Sequence, residues 1–75
     1  MFTQNNFSER LKSLRLANKL KQSEIAIILD VSIAQISDIE RGRRLTSIEN
    51  LYTLADYFDV SLDYLVGRSD NPERR

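Results

Sequence analysis

Apolar positions recur at three- and four-residue intervals in successive segments separated by polar turns, the spacing of amphipathic helices. Phe7, Leu11 and Leu14 form the first stripe. Asn6 is expected to cap this helix, with Glu9 completing a capping box, and the helix to run to about Asn18. Met1–Asn5 is expected to be a loose end. Leu20 anchors the chain ahead of a second helix, Gln22 to Leu29, with Ile25, Ala26 and Leu29 facing inward. Lys21 is a poor cap, so Gln22 or Ser23 is expected to help satisfy the free amides there. A tight turn, Asp30-Val31-Ser32, leads into a third helix. Ser32 with Gln35 reads as a capping box, and Val31 with Ile36 as a hydrophobic staple. Ile36 and Ile39 face inward, leaving Ile33, Ala34, Gln35, Ser37, Asp38 and Arg41 outside. Gly42 ends this helix, where a left-handed residue is wanted.

A fourth helix starts behind Thr46 or Ser47. Thr46 with Glu49 would form a capping box, and Ser47 is an equal candidate. Ile48, Leu51, Leu54, Ala55 and Phe58 are its expected buried stripe. Asp59-Val60-Ser61 repeats the turn chemistry of Asp30-Val31-Ser32, and a short fifth helix carries Leu62, Leu65 and Val66 before Gly67. The reading is an all-α domain over residues 1–67, with 68–75 a polar tail or linker. Ile27 and Ile28 are expected either to pack on the first helix or to lie loosely exposed.

Composition narrows the chemistry. With neither cysteine nor histidine, disulfides, thiolate zinc sites and imidazole acid–base catalysis are nearly excluded. Asp38 and Glu40 are the candidate acid–base groups on the segment from Gln22 to Gly42, and they stand on different faces of a short helix, so an enzyme is not expected. No apolar run approaches a membrane span and the N-terminus has no signal-peptide pattern, so a cytoplasmic location is expected. No cofactor, metal or small-molecule site is legible. The net charge of zero argues mildly against nucleic acid, but its distribution argues for it. Residues 1–45 carry eight Lys/Arg against five Asp/Glu, and residues 46–75 three against six. One face can therefore meet phosphate while another is kept off it. A short helix with small and polar outer residues, and with Arg41, Arg43 and Arg44 at its exit, suits a DNA groove.

The ordered series Leu14-Arg15, Leu20, Gln22, Ile25-Ala26, Leu29, Val31-Ser32, Ile36-Ser37, Ile39-Glu40-Arg41-Gly42, Leu51, Ala55, Val60-Ser61 and Leu65 resembles the XRE family of helix-turn-helix proteins, the group of the lambdoid phage repressors. The resemblance covers about residues 6–67. It departs where the family often has glycine, at Lys19, Asp30 and Asp59, and where it often has Ser or Thr, at Lys21. It implies a compact five-helix, lambda-repressor-like domain. It also implies that Gln22 meets a DNA phosphate, that Ile33, Ala34 and Asp38 reach base edges with Ser32 and Gln35 at the margin, and that Arg41, Arg43 and Arg44 meet phosphates. An ion pair between Arg15 and Glu40, locking the first helix to the third, is implied likewise. So are a homodimer through the region of the fifth helix and repression or activation at palindromic operators; within that helix Leu62, Tyr64 and Leu65 are the expected contact.

Residue by residue, blander roles compete. Asp38 can accept from a cytosine amino group or pair with Arg41 on its own helix. Gln35 can read adenine or serve the cap, and the cap needs nothing external. Ile33 can touch a thymine methyl or stand by, and Gln22 without the resemblance is a polar first-turn residue. The arginines fit phosphate contacts better than a merely solvated run because of their place at the helix exit. The expected function is a sequence-specific DNA-binding transcriptional regulator, a repressor in preference to an activator. The rival is an antitoxin-like or other protein-interaction module of the same fold, favoured by the zero net charge and the extra isoleucines of the second helix.

Overall fold

Five helices carry the described part of the chain: α1 (Gln4–Ala17), α2 (Gln22–Leu29), α3 (Ile33–Glu40), α4 (Ile48–Phe58) and α5 (Leu62–Leu65). The computed structural model describes residues 4–73, with side chains from residue 6 onward. Among the described residues there is no strand, as the apolar spacing predicts. α2 packs on α3, α1 lies across both α3 and α5, and α4 closes against α2 and α5. The stripes meet in a single core. Phe7, Leu11, Ile25, Ile36, Ile39, Leu54 and Leu65 are fully buried at its centre. Burying each such side chain contributes about 1.5–3 kcal/mol, so a core this small holds only when nearly every stripe position is used.

These five helices stop by the same device. A residue just past each helix, at Lys19, Asp30, Gly42, Asp59 and Gly67, has φ between 55° and 82°. Its N–H, and that of the next residue, turn back onto carbonyls of the last turn, as Gly42 does to Ile39 (3.1 Å) and Arg43 to Asp38 (2.9 Å). The next residue in the chain divides these positions into two groups. After Lys19, Asp30 and Asp59 come Leu20, Val31 and Val60, which pack in or against the core. After Gly42 and Gly67 come exposed arginines. Where a buried apolar residue holds the turn, packing offsets the strain of a side chain at positive φ; where nothing holds it, glycine stands.

Several local expectations are corrected. α1 already includes Gln4, so Asn6 lies inside the helix and is not its cap, and the Asn6–Glu9 box does not form. Asn6 instead sits against Gly67, where an added Cβ would come within 2.6 Å of the Asn6 Cβ. Of the expected loose end, residues 4 and 5 are helical and residues 1–3 lie outside the described residues. At α2, neither Gln22 nor Ser23 replaces the missing cap. Glu24 reaches back to accept from the Lys21 N–H (3.0 Å), which a carboxylate near a helix N-terminus does well. At α4 the cap is Ser47, whose hydroxyl accepts from the Asn50 N–H (3.2 Å). Thr46 is buried and accepts from the Asn50 side chain (2.9 Å), so the Thr46–Glu49 box is absent. With the cap at Ser47, Ile48 is the first helical residue. Its side chain leans back past the end of the core and is exposed, against expectation.

The polar tail folds back on the domain as far as it is described. The Ser61 N–H donates to the Pro72 carbonyl (2.9 Å), and Asp70 meets Arg10 at 3.4 Å. The Arg10 guanidinium lies 3.9 Å over the Tyr64 ring.

Candidate nucleic-acid interface

The turn between α2 and α3 sets the geometry of the site. Asp30 takes the left-handed conformation (φ 56°, ψ 50°), and Ser32 is extended, with its hydroxyl accepting from the Gln35 N–H (3.1 Å). Val31 packs against the core that holds Ile36, its expected staple partner. α3 is thereby turned so that Ile36 and Ile39 are buried while Ile33 and Ala34 are exposed and Gln35 and Asp38 half-exposed. These four side chains share one outer face, as the helical spacing predicts.

The Ser32–Gln35 capping box is half formed: the backbone half is present, but no hydrogen bond ties the Gln35 side chain among the described residues. A neutral amide gains less than a carboxylate from a helix N-terminus, as the contrast with Glu24 illustrates. Asp38 makes no ion pair with Arg41 within 4 Å among the described residues. Both side chains are therefore available to an external partner.

Two groups flank this face. Beyond its exit, Arg41, Arg43 and Arg44 are all exposed, and none makes an ion pair within 4 Å among the described residues. Gln22 opens α2 and is half-buried. Its amide nitrogen donates to Glu40 Oε1 (3.1 Å). Glu40 is held by Arg15 through two bonds, Nε to Oε2 at 2.7 Å and Nη2 to Oε1 at 3.0 Å. Arg15 also donates from Nη1 to the Leu20 carbonyl (2.9 Å). The side chains of this pair are 11% and 4% exposed, and the Glu40 bond raises the Arg15 pKa above its ordinary value against the opposing effect of burial. The ion pair that the resemblance implies is therefore present, and it ties α1 to α3.

Three contributors lie outside the sequence reading. Ser8, buried next to Phe7, donates to the carbonyl of Ile39 and ties α1 to the end of α3. Its position three residues before Leu11, on the apolar side of α1, is a legible hint. Glu24 can be found from its spacing, three residues after the weak cap Lys21. The Gln22–Glu40 bond spans 18 residues and carries no local sequence signal. Leu65, expected at a dimer contact, is fully buried and cannot form one. Its side chain is spent in the core because a four-residue helix has a single inward turn. Ile27 is 79% exposed, whereas Ile28 packs partly against the core. Among the described residues no helix is long and apolar enough to cross a membrane.

Comparison with known proteins fits this architecture. The chain is 35% identical over 60 residues to the transcriptional repressor RstR of the cryptic phage CTXphi from Vibrio cholerae, covering 80% of this chain and 54% of that protein. Among solved structures, a transcriptional regulator from Listeria innocua superposes with a TM-score of 0.80 at 38% identity, over 81% of this chain and 57% of that one. The P22 c2 repressor, solved in complex with a synthetic operator, superposes with a TM-score of 0.76 at 30% identity, over 84% and 96%. The five-helix fold is thus lambda-repressor-like. This chain spans between 45% and 60% of the length of the curated relatives it matches. A helix-turn-helix family model, HTH_3, matches residues 11–65, most of the chain and all of the α2–turn–α3 unit, and the chain belongs to that family.

Proposed function

We propose that this protein is a sequence-specific DNA-binding transcriptional regulator of the cytoplasm, acting as a repressor by occupying a palindromic operator as a two-fold dimer. One observation carries the reading. The outer face of α3 presents Ile33, Ala34, Gln35 and Asp38, the two polar side chains without an internal partner among the described residues, with three exposed arginines just past the helix end and Gln22 bonded to its last residue, Glu40. α3 enters the major groove, with Ile33, Ala34 and Asp38 at base edges and Ser32 and Gln35 at the margin. Gln22 and the arginines at 41, 43 and 44 meet phosphates and set the register. The repressor assignment draws on the relatives named as phage repressors. Dimerisation is assigned to the α5 end. There Leu62 remains partly exposed and Tyr52 projects beside it, along a cleft of about 480 Å³ also lined by Asp63. Tyr64, expected to lead this contact, has one ring face covered by Arg10.

The test is selection of bound sequences from a random DNA pool. The expected result is a two-fold symmetric site with half-sites about one helical turn, roughly 34 Å, apart. Recovery of no preferred sequence overturns the reading. The second reading, a protein-interaction module of this fold, is favoured by Ile27, which is too exposed to serve the core. A steep fall of DNA affinity with salt counts against it.

A further inference from the structure

The geometry points to Glu40 and Arg15 as positioning residues for the DNA backbone contact at Gln22, an inference that rests on the proposed DNA-binding reading. Gln22 is the first residue of α2, at the edge of the proposed interface. A glutamine amide has one end that donates and one that only accepts, and the two are nearly the same shape. Against a phosphate only the donor end is favourable. An untethered Gln22 would sample both orientations and several rotamers. Here its Nε2 is bonded to Glu40 Oε1 at 3.1 Å. An ionised carboxylate only accepts, so the reverse orientation would set oxygen against oxygen. The tether therefore selects the flip, and it leaves the second Nε2–H to donate outward.

Glu40 can do this only because it is itself fixed. Its two oxygens are held by Arg15 at 2.7 and 3.0 Å, and its side chain is 4% exposed. Arg15 in turn grips the Leu20 carbonyl, two residues before Gln22, so the same guanidinium places both the backbone leading into α2 and the carboxylate that orients the amide. The ion pair that joins α1 to α3 thus has a second duty at the DNA-facing edge. Because Gln22 is neutral, the contact it makes releases no counterion through a cationic side chain. Its loss should weaken specific and non-specific DNA alike and leave the salt slope unchanged.

A double-mutant cycle read on DNA affinity tests this. Gln22→Ala should weaken binding about tenfold, the size of one hydrogen bond to a charged group. Glu40→Gln, which removes the acceptor-only character of the partner, should weaken it to a similar degree. With Gln22→Ala already present, adding Glu40→Gln should cost less than about twofold, because the group that Glu40 orients is gone. Glu40→Asp retains the charge next to Arg15 but falls one methylene short of Gln22. It should show the same non-additivity, and it carries the test if Glu40→Gln unfolds. Circular dichroism on each variant restricts the comparison to folded protein. Additive losses overturn the inference, since they mean that Glu40 acts on the fold and not through Gln22. No loss on Gln22→Ala also overturns it while leaving DNA binding intact. Absence of DNA binding by the parent chain overturns the function reading itself, a separate and distinguishable result.

Discussion

Lys19, Asp30 and Asp59 occupy left-handed positions without being glycine. Lysine has the least excuse, since the short polar side chains of Asp tolerate that conformation by bonding locally. Lys19→Gly removes a strain of about 1–2 kcal/mol but adds back about 0.5–1 kcal/mol of unfolded-state entropy. The variant is therefore expected to be more stable by up to about 1.5 kcal/mol, and Asp30→Gly to gain less. Urea denaturation of both decides it, and a loss of stability on Lys19→Gly would sink the idea. The Arg15–Glu40 pair works in the opposite sense. Removing either partner leaves a nearly buried charge without its counterpart and is expected to cost about 3 kcal/mol, whereas replacing both by apolar residues should cost clearly less. A double-mutant cycle on unfolding free energy measures that difference, and coupling below about 0.5 kcal/mol would mean that the pair acts as two surface charges.

At the scale of the element, the proposed function divides the work between α3, which reads, and the loop behind it, which positions. Arg43 lies beyond the helix exit, where the proposed contacts go to the sugar-phosphate backbone. Arg43→Ala is expected to weaken all DNA sequences alike and to lower the salt slope by about one unit. Asp38 shares a stripe with Ala34, four residues earlier. Asp38→Asn is expected to change preference at one or two base pairs per half-site, by about 1–3 kcal/mol each, while non-specific affinity stays equal or rises. It can rise because a carboxylate facing phosphate is repelled. Binding-site selection on both variants and the parent provides the check; if Asp38→Asn keeps the parent's sequence preference, α3 does not read through Asp38. Much of this element is legible along the chain. Ser32 announces its start, Ile36 and Ile39 its inward face and Gly42 its end, because each is a short-range signal. The free Gln35 side chain is not legible, because whether an amide closes a capping box depends on competing surroundings that the local spacing does not contain.

For the molecule as a whole, a single short helix contacts too few base pairs to define a useful site, which is the reason the proposed function includes pairing. The basic first half and acidic second half fit such an arrangement, with the side away from DNA free to meet another copy. Tyr52 is 57% exposed beside Leu62 and supports little of the core, so Tyr52→Glu tests pairing without emptying the interior. Sedimentation equilibrium is expected to show the dimer weakened at least about tenfold, with operator binding reduced in step and the melting temperature little changed. Unchanged association would move the contact away from this cleft.

Residue spacing, and caps that act within one turn, were enough to define the helices, their inward stripes and the polar face of α3. An ordered set of matching positions was enough to define the family. Spacing misplaces the start of α1, which already includes Gln4, and it misjudges Ile48, whose exposure depends on which of two adjacent residues caps α4. The packed fold alone joins Ser8 to Ile39, Gln22 to Glu40 and Arg10 to Tyr64, and it alone makes Leu65 a core residue. The physical reason is common to all of them. A hydrogen bond or a buried surface between segments far apart in sequence is set by how whole helices pack, and packing distance and angle leave no periodic trace along the chain.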